Sequence, residues 1–224
     1  MAAAGRKGRS GTSLGMGQGS VMAGGLSRRK WNFAGMALAF VLAGCVSDQQ
    51  RIDAIRAVNQ AFCKEYEAVL AERGTKTLPV PRDEAFVAMR VAVAALGLHT
   101  EVQDASLGYL LVAGPSPLPL AGVEWTRAAA LDEPQLHEII QPYVGMAAGF
   151  VHFEPQGLDT EISATFLKKP AGTEISLTVR LREVSPPKSG WPRRECLGPN
   201  IVRAGLDKIW MAFEQELRAG PQRP

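Results

Sequence analysis

The sequence predicts an α+β fold: an antiparallel sheet of about four strands, made from two hairpins, with helices packed on one face as a two-layer sandwich. Three observations carry this reading. Apolar residues recur at three- and four-residue spacing near both ends of the folded part, as in Ile52, Ile55, Val58, Phe62, Tyr66 and Val69. Two segments alternate strictly between apolar and polar residues, which places one face in a core and the other in water. The segments follow one another as helix, helix, strand, strand, helix, strand, strand, helix. Strands that are neighbours along the chain pair as hairpins, so the order favours an antiparallel sheet over parallel crossovers.

The elements follow in order. Asp48–Arg73 is the first helix, closed by Gly74. Thr75–Pro81 holds two prolines and reads as a connector. Asp83 is placed to cap a second helix running through Leu96, with Phe86, Met89, Val93 and Leu96 on one face. Leu98–Gln103 and Gly108–Ala113 read as a hairpin turned at Asp104-Ala105-Ser106. Gly114–Pro119 is proline-rich and reads as a loop of polyproline character, because each proline removes a backbone donor. A helix is expected around Glu133–Val144, kinked or shortened by Pro142.

The clearest strands come next. Ile162, Ala164 and Phe166 alternate with Ser163 and Thr165. Ile175, Leu177, Val179 and Leu181 alternate with Ser176, Thr178, Arg180 and Arg182. Lys168–Gly172 joins them as a five-residue loop. Val184–Pro199 is irregular, and Asn200–Arg218 is the last helix. Residues 83–113 and 133–182 both read as a helix followed by two strands, without sequence identity between them.

Charge is unevenly spread. Residues 1–45 hold Arg6, Lys7, Arg9, Arg28, Arg29 and Lys30 and no acidic residue, so a chain of net +3 becomes −3 without them. A mildly acidic folded part offers no electrostatic footprint for nucleic acid. The basic residues belong to a targeting segment. Ser27–Lys30 is its positive region, Phe33–Val41 its apolar region, and Leu42-Ala43-Gly44-Cys45 its end.

That ordered series resembles the signal peptide of bacterial lipoproteins, and the quartet resembles their lipobox. The resemblance covers residues 26–46 and does not assign the mature part to a family. It implies cleavage after Gly44, guided by Leu42, Ala43 and Gly44, and a lipid (diacylglycerol and palmitate) on Cys45. Val46 stands where such proteins carry an aspartate when they stay in the inner membrane, so the resemblance implies an outer-membrane location facing the periplasm. An uncleaved membrane span competes with this reading: Trp31–Ser47 is uncharged over 17 residues, at the lower bound of the ~17–25 that cross a bilayer. Met22 is an alternative start. Ser27-Arg28-Arg29 faintly resembles a twin-arginine signal, but Trp31 and Asn32 depart from it.

The expected organisation is therefore a leader and signal peptide at 1–44, then a lipidated amino terminus, first helix and connector at 45–82. A single α+β domain spans 83–218, and 219–224 form a tail. With Cys45 lipidated, Cys63 and Cys196 remain as an even pair, and an oxidising compartment favours a disulfide between them. Two unpaired thiols are the alternative.

The inventory of chemistry is thin. His99, His137 and His152 are far apart in sequence and show no metal-ligand spacing. The Gly-x-Ser-x-Gly spacing occurs only at Gly11–Gly15 in the leader, and the folded part has no such elbow and no glycine-rich phosphate loop. Asp132-Glu133 and Glu214/Glu216 read as caps or solvated faces. No catalytic residue, metal site or cofactor is expected. One stretch, Pro115, Pro117 and Pro119 up to Trp125, could present an apolar edge to a partner; a loop packed over the core is the competing reading. The expected function is a membrane-anchored, periplasm-facing, non-catalytic adaptor, accessory or structural component, whose partners are the membrane and another envelope protein. The alternative is a binding protein for a small apolar or envelope-derived ligand, and an enzyme is the third. The helix-on-sheet pattern is loosely similar to small outer-membrane assembly lipoproteins, a likeness of fold that carries no function.

Overall fold

The computed structural model describes residues 46–185 and 197–220. The chain divides into two units, Met1–Gly44 and Cys45–Pro224, and every described residue belongs to the second. Leu42, Ala43, Gly44, Cys45 and Cys196 lie outside the described residues, as does Trp191.

Helix α1 spans Asp48–Arg73, as its periodicity predicts. Its start is a reciprocal cap: the Gln50 amide donates to the Ser47 hydroxyl, and the Ser47 amide donates to Gln50 Oε1. Gly74 closes it by donating to the Leu70 carbonyl at 2.7 Å. The expected connector after it contains a short strand, β1 (Thr75–Leu78), so the sheet has five strands rather than about four. Four half-exposed residues beside Pro79 carry little strand signal, which is common for an edge strand. Helix α2 (Arg82–Ala95) starts directly behind Pro81, with Asp83 in its first turn rather than at its cap.

Strands β2 (His99–Asp104) and β3 (Tyr109–Pro115) form the first hairpin. Asp104 holds the turn by accepting from the Ser106 hydroxyl at 2.6 Å and the Leu107 amide at 2.9 Å. These bonds hold its carboxyl below the usual range. Helix α3 (Gly122–Val144) begins well before Glu133 and runs through both Pro134 and Pro142. A 3₁₀ segment, Gly145–Phe150, continues from it.

The second hairpin pairs β4 (Leu158–Lys169) with β5 (Gly172–Glu183). The expected five-residue loop is a two-residue turn, Pro170-Ala171, because Lys169 still pairs with Gly172. Gly172 has φ of 131°, and a Cβ there would collide with the Leu78 carbonyl of β1. The last helix, α4, spans Pro199–Ala219.

All strand pairs are antiparallel, in the order β1-β5-β4-β3-β2. Among the described residues the fold is thus α+β, with a five-stranded antiparallel sheet and four helices. Both hairpins meet at the β3–β4 seam. Thr160, Ile162, Ala164 and Phe166 of β4 are buried, while Glu161, Ser163 and Thr165 between them are half-buried or exposed. Phe166 meets Phe86 of α2 edge to face at 5.3 Å. Helix α1 joins the same core through Val58 and Phe62, and its Tyr66 hydroxyl donates to the Val179 carbonyl of β5 at 2.7 Å.

Candidate functional site

The proline stretch singled out in the sequence is a short connection between β3 and α3. Pro115 ends β3 and is exposed, while Pro119 and Leu120 are buried. The peptide bonds before Pro117 and Pro119 are cis. The Leu118 amide donates to the Pro115 carbonyl and the Leu120 amide to the Pro117 carbonyl, so the segment is two turns rather than extended polyproline. Trp125 belongs to the first turns of α3 and is 6% exposed. The stretch is therefore built into the core, and of its four residues only Pro115 presents an exposed edge.

Beneath it lies a void of about 10 Å³, room for one water sphere, bordered by Pro117, Pro119, Trp125, Thr160, Leu197 and Ile201 among others. Trp125 Nε1 and Thr160 Oγ1 are both buried there without a hydrogen-bond partner. An unpaired buried hydroxyl costs about 1–3 kcal/mol. Thr160→Val keeps the side-chain shape and removes that group, so the variant is expected to be as stable as the wild type or more so, by up to ~1 kcal/mol. Urea unfolding midpoints check this; a clear loss would mean that the hydroxyl has a partner in solution.

A groove of about 420 Å³ is the larger concavity. Its described lining joins Val87 and Val91 of α2 and Leu217 of α4 with the acidic residues Asp83, Glu84 and Glu216.

Two polar clusters were not legible in the sequence. On the side of the sheet away from Phe166, Arg182 pairs with Glu101 at 2.8 Å, Glu161 at 2.9 Å and Asp159 at 3.0 Å. The three carboxylates hold its guanidinium protonated even more firmly than usual. All four groups are partly exposed, so the network fixes strand alignment more than it adds stability. Separately, α3 and the segment after the 3₁₀ turn bring His137 and His152 together, with ring centres 6.0 Å apart. His137 Nε2 donates to the Val151 carbonyl at 2.9 Å, and His152 Nδ1 lies 3.0 Å from Glu133. His99 stands apart on β2. Among the described residues, no group of three or more His, Cys, Asp or Glu is placed to hold a metal ion.

The chain matches no protein-family profile, no curated protein and no solved structure.

Cys63 is half-buried on α1. Three helices converge two residues further along. The Gln135 amide of α3 donates to Glu65. Asp132, one turn earlier on α3, is 1% exposed and accepts from the Asn200 amide, the Asn200 side chain and the Ile201 amide of α4 at 2.7–3.1 Å. Burial pushes the Asp132 carboxyl above its usual range, against the downward pull of these donors. Gly198 is the residue that permits the contact, since a Cβ there would overlap the carboxylate. The chain just before α4 is thus held close to the α1 segment that carries Cys63. None of the described helices is long and apolar enough to cross a membrane.

Proposed function

We propose that this protein is a lipid-anchored component of the cell envelope, cleaved before Cys45, whose folded part is a non-catalytic adaptor or structural element. The observation that carries the reading is the ordered series of Ser27–Lys30, Phe33–Val41 and Leu42–Cys45. The capped start of α1 at Ser47 supports it, because a stable domain begins two residues after the lipid-bearing position.

Cys45→Ser is expected to abolish labelling by radioactive palmitate and to leave the precursor uncleaved. Continued labelling of the variant would reject the reading. Fractionation of the same cells on a density gradient is expected to place the wild type in the outer membrane, since Val46 replaces the retaining aspartate. Recovery in the inner membrane alone would reject that location.

Within this reading Cys63 pairs with Cys196. The approach of Asp132 to both Asn200 and the Glu65 region supports the pairing, because it brings the start of α4 beside α1. Closing so long a loop contributes roughly 4–5 kcal/mol in the chain-entropy account. Peptide mapping without reductant is expected to recover one linked species joining the Cys63 and Cys196 peptides. A Cys63 peptide linked to Cys45 would reject both the pairing and the lipidation.

The finer architecture is a two-layer sandwich, with helices over the Ile162–Phe166 side of the sheet and none of the described helices over the Arg182 side. A second reading is favoured by the 420 Å³ groove: a binding site for a small apolar ligand between α2 and α4.

A further inference from the structure

Contacts among the helices define which end of the domain faces the anchor. Gln135 of α3 meets Glu65 of α1, and Asp132 meets Asn200 of α4. Further along, Glu124 of α3 pairs with Lys208 of α4, and Arg73 of α1 pairs with Asp207 of α4. Helices α1 and α3 therefore run antiparallel. Moving from Glu65 back toward the amino terminus is moving from Gln135 toward the 3₁₀ segment Gly145–Phe150. Phe62 of α1 stacks on Phe153, just beyond that segment, at 5.9 Å. The start of α1 and the 3₁₀ segment thus share one end of the domain.

The 3₁₀ segment leaves two large apolar side chains uncovered among the described residues, beside the exposed polar start of α1 at Ser47, Asp48, Gln49 and Gln50. Met146 is 90% exposed and Phe150 is 83% exposed. Ala148 between them is buried and fastens the segment to the core, so the two large side chains are directed outward. Ile52 on α1 and Tyr143 at the end of α3 add partial exposure nearby. Scattered exposed apolar residues, such as Leu107 and Val123 elsewhere, are ordinary; a cluster at one end marks a contact surface.

We propose that Met146 and Phe150 rest in the lipid surface that holds the acyl chains of Cys45. The inference rests on the lipid-anchor reading above. Cys45 immediately precedes the described chain, and the helical rise from Asp48 to Ile55 is only about 10 Å. The anchor therefore delivers this end of the domain, and no other, to a bilayer. Two side chains bind a membrane weakly by themselves, but tethering makes the contact intramolecular and a weak contact suffices. Such a contact fixes the tilt of the domain on the membrane and directs the opposite end toward a partner.

The full chain, purified from membranes and reconstituted into phosphatidylethanolamine–phosphatidylglycerol vesicles, tests this. Mass measurement of its first mature peptide reports the lipid. Hydrogen exchange then reads residues 143–153, against an unlipidated mature chain of residues 46–224 mixed with the same vesicles, which keeps every described element and lacks the apolar targeting segment. Slower exchange at Gly145–Val151 in the lipidated protein is expected, with loss of that protection in a lipidated Met146→Ser/Phe150→Ser double variant. A lipidated protein whose 143–153 exchange matches the unlipidated mature chain overturns the membrane contact and leaves the anchor standing. A mature peptide without lipid overturns the anchor, and the contact with it.

Discussion

Asp132→Ala is expected to destabilise the domain by about 2–4 kcal/mol, through the loss of a helix cap and the exposure of unpaired donors to a dry interior. The start of α4 explains the size of the effect. An α-helix begins with amide groups that have no partner inside the helix. Pro199 at the first position has no amide hydrogen, and the Val202 amide donates to the Gly198 carbonyl at 3.1 Å. The amides of Asn200 and Ile201 remain, and Gly198 at the cap has no side chain to receive them. Asp132 receives both from another helix, together with the Asn200 side chain. Alanine leaves the buried Ile201 amide and the two half-buried Asn200 donors without this acceptor. Asp132→Asn keeps one acceptor oxygen and is expected to cost less.

The two variants also separate in pH. The folded-state pKa of Asp132 is raised, so the folded protein binds its proton more tightly than the unfolded chain does. The contribution from this group is largest below about pH 4 and declines as pH rises through the raised value. Denaturant midpoints measured across that range should show this slope in the wild type and lack it in Asp132→Asn.

Asp132 also marks where the sequence stopped being legible. Beside Glu133 it reads as a cap of its own helix, and it caps a helix 68 residues away. Nothing in local spacing records such a partner. The pairing of His137 with His152 and the three carboxylates around Arg182 were hidden for the same reason: each is assembled from separate elements. What depends on local periodicity was readable. The stripe from Ile55 to Val69 placed α1, and the alternation through Ile162–Phe166 and Ile175–Leu181 placed the paired strands and their buried face. The early turns of α3 were missed although Trp125, Ala128, Ala129 and Asp132 share a helical face, because the prolines before them drew the reading toward a loop. The start of α3 has no capping side chain at Ala121, only the Ala121 amide donating to Glu124 at 2.6 Å. The residues proposed to carry the anchor are the reverse case. Leu42–Cys45 are legible only as an ordered sequence pattern.

Trp210→Ala is expected to be the most damaging single change, costing about 3–5 kcal/mol. Trp210 is 3% exposed and sits where α1, β1 and α4 meet. Its indole Nε1 donates to the Arg73 carbonyl at 2.8 Å, so it serves one of the carbonyls left open at the end of α1. Its ring meets Phe213 edge to face at 5.9 Å, and the Lys76 ammonium of β1 lies 4.9 Å from its centre. Lys76 is held there by Glu214 at 2.8 Å, a partly exposed pair worth well under ~1 kcal/mol by itself. The ring volume and the hydrogen bond are therefore the large terms, and they can be separated. Trp210→Phe restores most of the volume and leaves the Arg73 carbonyl without its donor, so it is expected to cost about 1–3 kcal/mol. If urea unfolding gave equal losses for the two variants, the hydrogen bond would be the whole effect and the packing none of it. The expected ordering, alanine well below phenylalanine and phenylalanine below wild type, assigns stability to both. Trp210 at the end of α1 and Asp132 at the start of α4 then share one logic: each helix end without a partner of its own is completed by a side chain from a different helix.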